Sequence, residues 1–448
     1  MVFKIMSKIQ LSDHFTYKRL LKFVWPSIIM MIFTSIYGVV DGLFVSNFVG
    51  KTPFAALNFI WPFIMILSTP GFMLGTGGSA LVAKTLGEGD RKKANGLFSM
   101  FCYIAMIAGA VLMVAAYILM PTVARLMGAT GDMLHYSVLY GRVMVLGCIP
   151  QMLHFVYESF IITAEKPSLG LKITVAAGVT NIVLDALFIC VFDWGIAGAA
   201  AATVLSQFVG GFVPFIYFIR PNTILLRITK PDFDFKALLK ACTNGSSELM
   251  SNISMSFIGM LYNIQLMKYL GENGVAAYGV MMYLNFFFIA AFIGYAIGTA
   301  PIIGFHYGAK NSGEIKNILN KSIKILFLGG LAMLVIGEAV AVPVSSIYVS
   351  YDKELFDMTV HGFRIYSISF LPCGFAIFAS SFFTALNDGV TSAIVSFLRT
   401  LVFQFAAVMI LPLLIGPDGL WYSVVAAEFM AVAVSALFMI IKRKKYGY

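Results

Sequence analysis

What most constrains this chain is the recurrence of long apolar runs. Stretches of about 20 or more predominantly apolar residues, enough for a helix to cross the hydrocarbon core, fall near 20–48, 54–80, 97–118, 136–162, 168–191, 195–218, 241–268, 275–303, 320–342, 361–385, 391–414 and 419–441. Only 12% of residues are charged, against about a quarter in soluble domains. The expectation is an all-α polytopic membrane protein of twelve transmembrane helices. The first run is too long for a signal-peptide core and no small-residue cleavage site follows it, so it reads as a retained span. Five scattered cysteines without a CxxC spacing give neither a disulfide framework nor a metal site.

An even number of spans puts both termini on one side. With the N-terminus inside, 24 of the 31 Lys and Arg fall on the inner side, from Lys4 and Lys8 through Arg91–Lys93 and the 220–240 segment to Lys442–Lys445. The outer loops carry only Lys51, Arg125, Lys268 and Lys353, while Arg142, Arg364 and Arg399 lie within spans. That asymmetry is the positive-inside signature and makes both termini cytoplasmic. The net charge of +10 is thereby a topology signal and implies no nucleic-acid partner.

The chain also repeats itself. A shift of 221 positions carries Ala56 onto Ala277, Gly77 onto Gly298 and Gly87 onto Gly308, with a basic loop after each copy. Two six-span halves follow: an N-lobe at 1–219, a cytoplasmic linker at 220–240 and a C-lobe at 241–448. Because six is even, the halves are parallel pseudo-repeats, an arrangement that commonly places a transport cleft between them.

Ionisable residues inside such spans are expensive, which makes them functional candidates. Asp41 sits mid-run in YGVVDG, and TNIVLDALF places Asn181 and Asp185 one helical turn apart on one face. Thr203 and Gln207 are one turn apart on the sixth span. Counted from the outer ends of their spans, Asp41, Asp185 and Thr203 share a level about 11 Å deep, at 1.5 Å per residue. Two carboxylates, an amide and a hydroxyl form an all-oxygen set suited to Na⁺, and two like charges at one site also favour holding a proton. Each polar group taken alone would serve equally as a helix–helix hydrogen bond, but a pair of buried acids needs a cation. Gly38 and Gly42 around Asp41 form a GxxxG expected to admit a close helix.

The same shift carries Asp41 onto Tyr262 and Asp185 onto Ala406, so the acidic site is single. Arg399 and Glu428 in the C-lobe are expected to pair. Glu158, near the inner end of the fourth span, and Glu248, about two turns inside the seventh, are expected to line an inner vestibule. Met31, Phe33, Tyr157, Met255 and Phe287 are candidates to receive an apolar cargo by dispersion and cation–π contact.

Taken together, Y37-G-V-V-D41-G, N181-I-V-L-D185, G195-I-A-G-A-A-A-A-T203-V-L-S-Q207 and G75-T-G-G followed by A83-K-T-L-G-E-G-D90 resemble the multidrug and toxic compound extrusion (MATE) family over essentially the whole chain. The resemblance implies two six-helix lobes in a V-shaped cleft that export cationic amphipathic compounds in antiport with Na⁺ or H⁺. By position it makes Asp41, Asn181, Asp185 and Thr203 the cation site, with Tyr37 and Gln207 as neighbours. A C-lobe site is not supported, because no acid lies between His361 and Leu386. The expected protein is a monomer in a plasma membrane, with a coupling ion and no cofactor.

Two rivals remain. An intramembrane enzyme lacks any HExxH, P-loop or GxSxG, and GTGGSA at 75–80 lies in an apolar span with no strand before it. A flippase for a lipid-linked saccharide would need a basic cavity for phosphate, whereas this interior is acidic.

Overall fold

A computed structural model describes residues 9–220 and 224–448, so Lys4, Lys8 and part of the linker lie outside the described residues. Among the described residues the chain is helical with no strand. The helices are α1 (Tyr17–Phe44), α2 (Lys51–Gly87), α3 (Arg91–Leu126), α4 (Gly131–Leu146), α5 (Cys148–Thr163), α6 (Pro167–Asp185), α7 (Gly195–Ile219) and α8 (Phe235–Asn244). They continue as α9 (Ser246–Gly308), α10 (Ser312–Val349), α11 (Lys353–Ser367), α12 (Phe370–Ala385), α13 (Gly389–Phe397), α14 (Phe403–Ile415) and α15 (Asp418–Tyr446).

Among the described residues nine helices or continuous helix runs are long and apolar enough to span a membrane; α4–α5 and α11–α12 supply two more as pairs bent by 60° and 48°. The twelfth arises because α9 breaks at Gly271 (φ 65°, ψ −157°), a backbone region that essentially only glycine occupies, so its two limbs are spans seven and eight. The run expected to begin at 241 begins at Ser246 instead. A Cβ at Gly245 would lie 2.3 Å from the Met73 carbonyl oxygen; the chain turns there against α2, and the preceding apolar residues belong to the separate helix α8. Glu248 therefore lies in the first turn of its span, not two turns inside.

The repeat is visible in the turns. Gly89 (φ 88°) precedes Asp90, whose carboxylate accepts from Lys93 N at 2.9 Å and caps α3; 221 residues on, Lys310 (φ 55°) precedes Asn311, whose side-chain oxygen accepts from Glu314 N at 3.1 Å and caps α10. The lobes meet through glycines that a Cβ would fill. At Gly77 it would fall 2.0 Å from the Ala241 carbonyl, and at Gly298 it would strike Val24. The expected role of Gly38 and Gly42 is corrected by the same measure. Nothing lies within 4 Å of a Cβ at Gly38, and Gly42 meets only a Phe54 ring carbon at 3.8 Å. The close contact of α1 lies nearer its N-terminal end, where Ser27 and Ile28 take Gly294.

A segment before α1 straps the helix ends on the side of the termini together. Leu11 and Phe15 are fully buried. Leu11 N donates to Glu165 Oε1 at 2.9 Å on the α5–α6 turn. Phe15 N donates to Glu314 Oε1 at 2.8 Å, His14 Nδ1 lies 2.7 Å from Glu314 Oε2, and Lys321 Nζ donates to the Phe15 carbonyl at 2.7 Å.

Candidate functional site

The N-lobe site is built where two helices change pitch. The α-helical geometry of α1 ends at Phe44 and continues as a π-helical turn, Val45–Val49; that of α6 ends at Asp185 and continues as Ala186–Val191. Wider turns of this kind recur at functional positions, because they free backbone groups and re-aim side chains. Here they follow the two acids. The α1–α6 approach depends on Gly178, where a Cβ would fall 2.5 Å from Phe33 and 2.9 Å from Tyr37 ring atoms.

Asp185 is fully buried, and neither of its carboxyl oxygens has a hydrogen-bond donor; Asp41 Oδ1 is likewise buried without one. The two carboxyl groups face each other at hydrogen-bonding range. As carboxylates both are acceptors only, so the contact is repulsive until one holds a proton or a cation lies between them. Beside them Asn181 Nδ2 donates to Thr203 Oγ1 at 3.5 Å, and Thr203 Oγ1 donates to the Ala199 carbonyl at 3.1 Å. Thr203 thus has acceptor capacity left for a cation. Among the described residues no three His, Cys, Asp or Glu side chains converge as a metal site. A cation at the pair would take its further ligands from amide, hydroxyl or water oxygens, a donor set that fits Na⁺ better than a transition metal.

Tyr140 on α4 was missed from the sequence. It is fully buried, its hydroxyl has no partner, and it lies beside both Asp41 and Asp185. A lone tyrosine in an apolar run carries no spacing signal; only the fold aims it. Gln207 is half-buried with its Oε1 unpartnered. Tyr37 lies within electrostatic reach of both Glu158 and Asp41.

Glu158 and Glu248, one from each lobe, lie close enough to act on each other electrostatically. Glu158 also lines a small crevice with Met30, His154, Tyr157 and Thr174. Tyr157 is mainly core: it stacks on Phe218 with ring centroids 5.5 Å apart. Phe33 packs toward Tyr37 at 6.2 Å, and Met31 is partly buried against the core. Met255 is exposed, and Phe287 is half-buried. Arg399 and Glu428 do pair, with Nε–Oε2 at 2.9 Å and the second guanidinium edge at 2.9 Å from Oε1.

Comparison with known proteins agrees with this architecture. The multidrug export protein MepA of Staphylococcus saprophyticus is 24% identical over 432 residues, covering 96% of this chain and 94% of that protein. MepA of Staphylococcus aureus MRSA252 is 23% identical over 436 residues, with the same coverage. A crystal structure of MATE in complex with MaL6 superposes with a TM-score of 0.92 at 24% identity, over 98% of this chain and 99% of that one. The outward-facing conformation of a multidrug resistance MATE family transporter of the MOP superfamily gives 0.92 at the same identity and coverage. The MatE family model matches twice, over residues 26–187 and 249–410, the first match containing Asp41, Asn181 and Asp185; the chain belongs to the MatE family.

Proposed function

We propose that this protein is a secondary active multidrug exporter that expels cationic, amphipathic small molecules in antiport with Na⁺ or H⁺, by alternating access between two six-span lobes whose termini are cytoplasmic. The observation that carries the reading is the Asp41–Asp185 pair, two buried carboxyl groups in contact with three oxygens lacking donors. Such a pair stabilises a fold only when a cation joins it, and a cation that can leave is one that can drive transport. Similarity to proteins named multidrug export proteins supports the substrate class.

In the outward-facing state Asp41 and Asp185 take up the coupling ion, with Asn181, Thr203 and Tyr140 ordering the surrounding oxygens. Loading relieves the carboxylate repulsion and lets α1 and α6 draw together. Exchange requires that loading weaken cargo binding, a reciprocal penalty typically of about 1–3 kcal/mol. After release of the ion, the bare acids favour the state that recruits an organic cation from the inner side. Glu158 and Glu248 supply negative charge there, and Met31, Phe33, Met255 and Phe287 supply apolar surface.

The test is efflux of a fluorescent organic cation from proteoliposomes under separately imposed Na⁺ and pH gradients, with Asp41→Asn and Asp185→Asn beside wild type. One gradient should drive export and both substitutions should abolish the response. Transport indifferent to both gradients, or undiminished in both variants, would overturn the reading.

A further inference from the structure

The C-lobe repeats the helices that build the N-lobe site but replaces their chemistry. Spans seven, eleven and twelve are the repeat partners of spans one, five and six. The 221-residue shift puts Tyr262 at the place of Asp41, and Tyr262 is buried and stacked on Tyr278 with ring centroids 5.1 Å apart. The charge in this lobe is carried by Arg399 on the eleventh span and Glu428 on the twelfth. Arg399 Nε donates to both carboxylate oxygens, at 3.1 and 2.9 Å, and the side chains are only 15% and 6% exposed. The other titratable groups facing the pair are Tyr366 from α11 and Cys373 from α12, with Tyr262 and Tyr278 of α9 beside Tyr366.

The two lobes also share a backbone feature, although not at repeat-equivalent positions. Among the described residues there are three π-helical turns: one begins four residues after Asp41, one directly follows Asp185, and the third, Leu398–Val402, contains Arg399. Each therefore stands at a buried charge. In the N-lobe these charges are two acids with no cation of the chain's own; in the C-lobe an acid is neutralised by a tethered guanidinium.

We propose that Arg399 is the built-in cation of the C-lobe, filling against Glu428 the role that a mobile ion fills against Asp41 and Asp185, so that the N-lobe alone sets the number of ions exchanged. This rests on the exchange reading above. A tethered guanidinium cannot dissociate, so the C-lobe gains no cation-dependent difference between its two conformations, and a ligand without such a difference cannot shift an equilibrium. Removing the guanidinium leaves Glu428 as a buried, unpaired carboxylate that must be protonated or joined by a metal ion. Arg399 thus conceals a second ion site.

The experiment uses the full chain carrying Asp41→Asn and Asp185→Asn, so that the N-lobe pair is silent, and reads thermal stability against Na⁺ concentration and pH. Adding Arg399→Gln should create a Tm that rises with Na⁺ or with falling pH, relative to the same protein carrying both Arg399→Gln and Glu428→Gln. No such difference would overturn the proposal. Because Arg399→Gln alone could prevent folding, a second measurement places Arg399→Gln with Glu428→Gln in the otherwise native chain. Its ion-to-substrate ratio in proteoliposomes should equal that of the native chain, and a changed ratio would also overturn the proposal. If the native chain responded to neither gradient, the exchange reading would fail, while the stability comparison would still decide whether Arg399 masks a cation site.

Discussion

Gly87 and Gly308, 221 residues apart, pack against each other's helices where α2 and α9 cross. A Cβ on Gly87 would fall 1.9 Å from the Phe305 carbonyl oxygen, and one on Gly308 would fall 1.9 Å from that of Lys84. The contact is nearly self-reciprocal, as expected of a residue pair close to a pseudo-two-fold axis, and both obstacles are backbone, which cannot swing aside.

Gly308→Ala should therefore force the two helices apart at this crossing. Overpacking of this kind costs about 1–3 kcal/mol. The expected outcome is a lower Tm for the purified protein and slower efflux, with Gly87→Ala behaving alike.

Gly38→Ala makes the contrasting case. Its Cβ would enter open space, and alanine favours a helix over glycine by about 1 kcal/mol. Stability should be unchanged or raised; a marked fall in Tm would restore the close-packing role that the GxxxG spacing suggests.

Tyr140→Phe should retain the fold, since it removes only a hydroxyl that has no partner within the chain. If that hydroxyl helps to order the ion, its loss should cost about 1 kcal/mol, read as roughly fivefold weaker dependence of efflux on the driving cation. Unaltered ion dependence would remove Tyr140 from the site.

Glu314→Ala releases the strap. It deletes the acceptor of Phe15 N and His14 and the side-chain partner of Asn317. Hydrogen bonds to a charged group are worth about 1.5–3 kcal/mol. Residues 9–16 should become sensitive to limited proteolysis at their links to both lobes, which intact protein should resist.

Asp388, in the turn between α12 and α13, supplies a pH dependence. Burial raises its carboxyl, but hydrogen bonds from Tyr446 and Thr391 and the Lys442 charge outweigh that and hold it below the usual carboxylate range. Tyr446 OH donates to it at 2.6 Å, and Lys442 lies at 3.4 Å. A depressed folded-state value means that its stabilisation is present above the ordinary aspartate pKa and is lost as pH falls through the lowered one. Tm should drop on acidification through this range, and Asp388→Asn should flatten that part of the curve.

The spans, the acid pair and the repeat were legible because each leaves a linear trace: length of apolar run, cost of a charge in lipid, and a fixed offset between matching residues. The pairing of Arg399 with Glu428 was legible for the same reason, as two opposite charges that lipid would not tolerate singly. What was not legible depends on how far neighbouring helices stay together along their length and on which side chains the fold aims inward. Gly38 and Gly42 have the right spacing for close packing yet lie away from α9, while Tyr140 has no pattern and still reaches the acids. The seventh span started later than its apolar run because Gly245 turns against Met73, a contact 172 residues away in sequence.

The break at Gly271 has a mechanical consequence. Spans seven and eight are two helices joined at a sharp break at Gly271. A tilt of the first limb is transmitted to the second as through a short crank. The second limb bears Gly294 and Gly298, seated against Ser27, Ile28 and Val24 of α1. Asp41 rides on that same α1, so movement in one lobe tugs directly on the acid of the other.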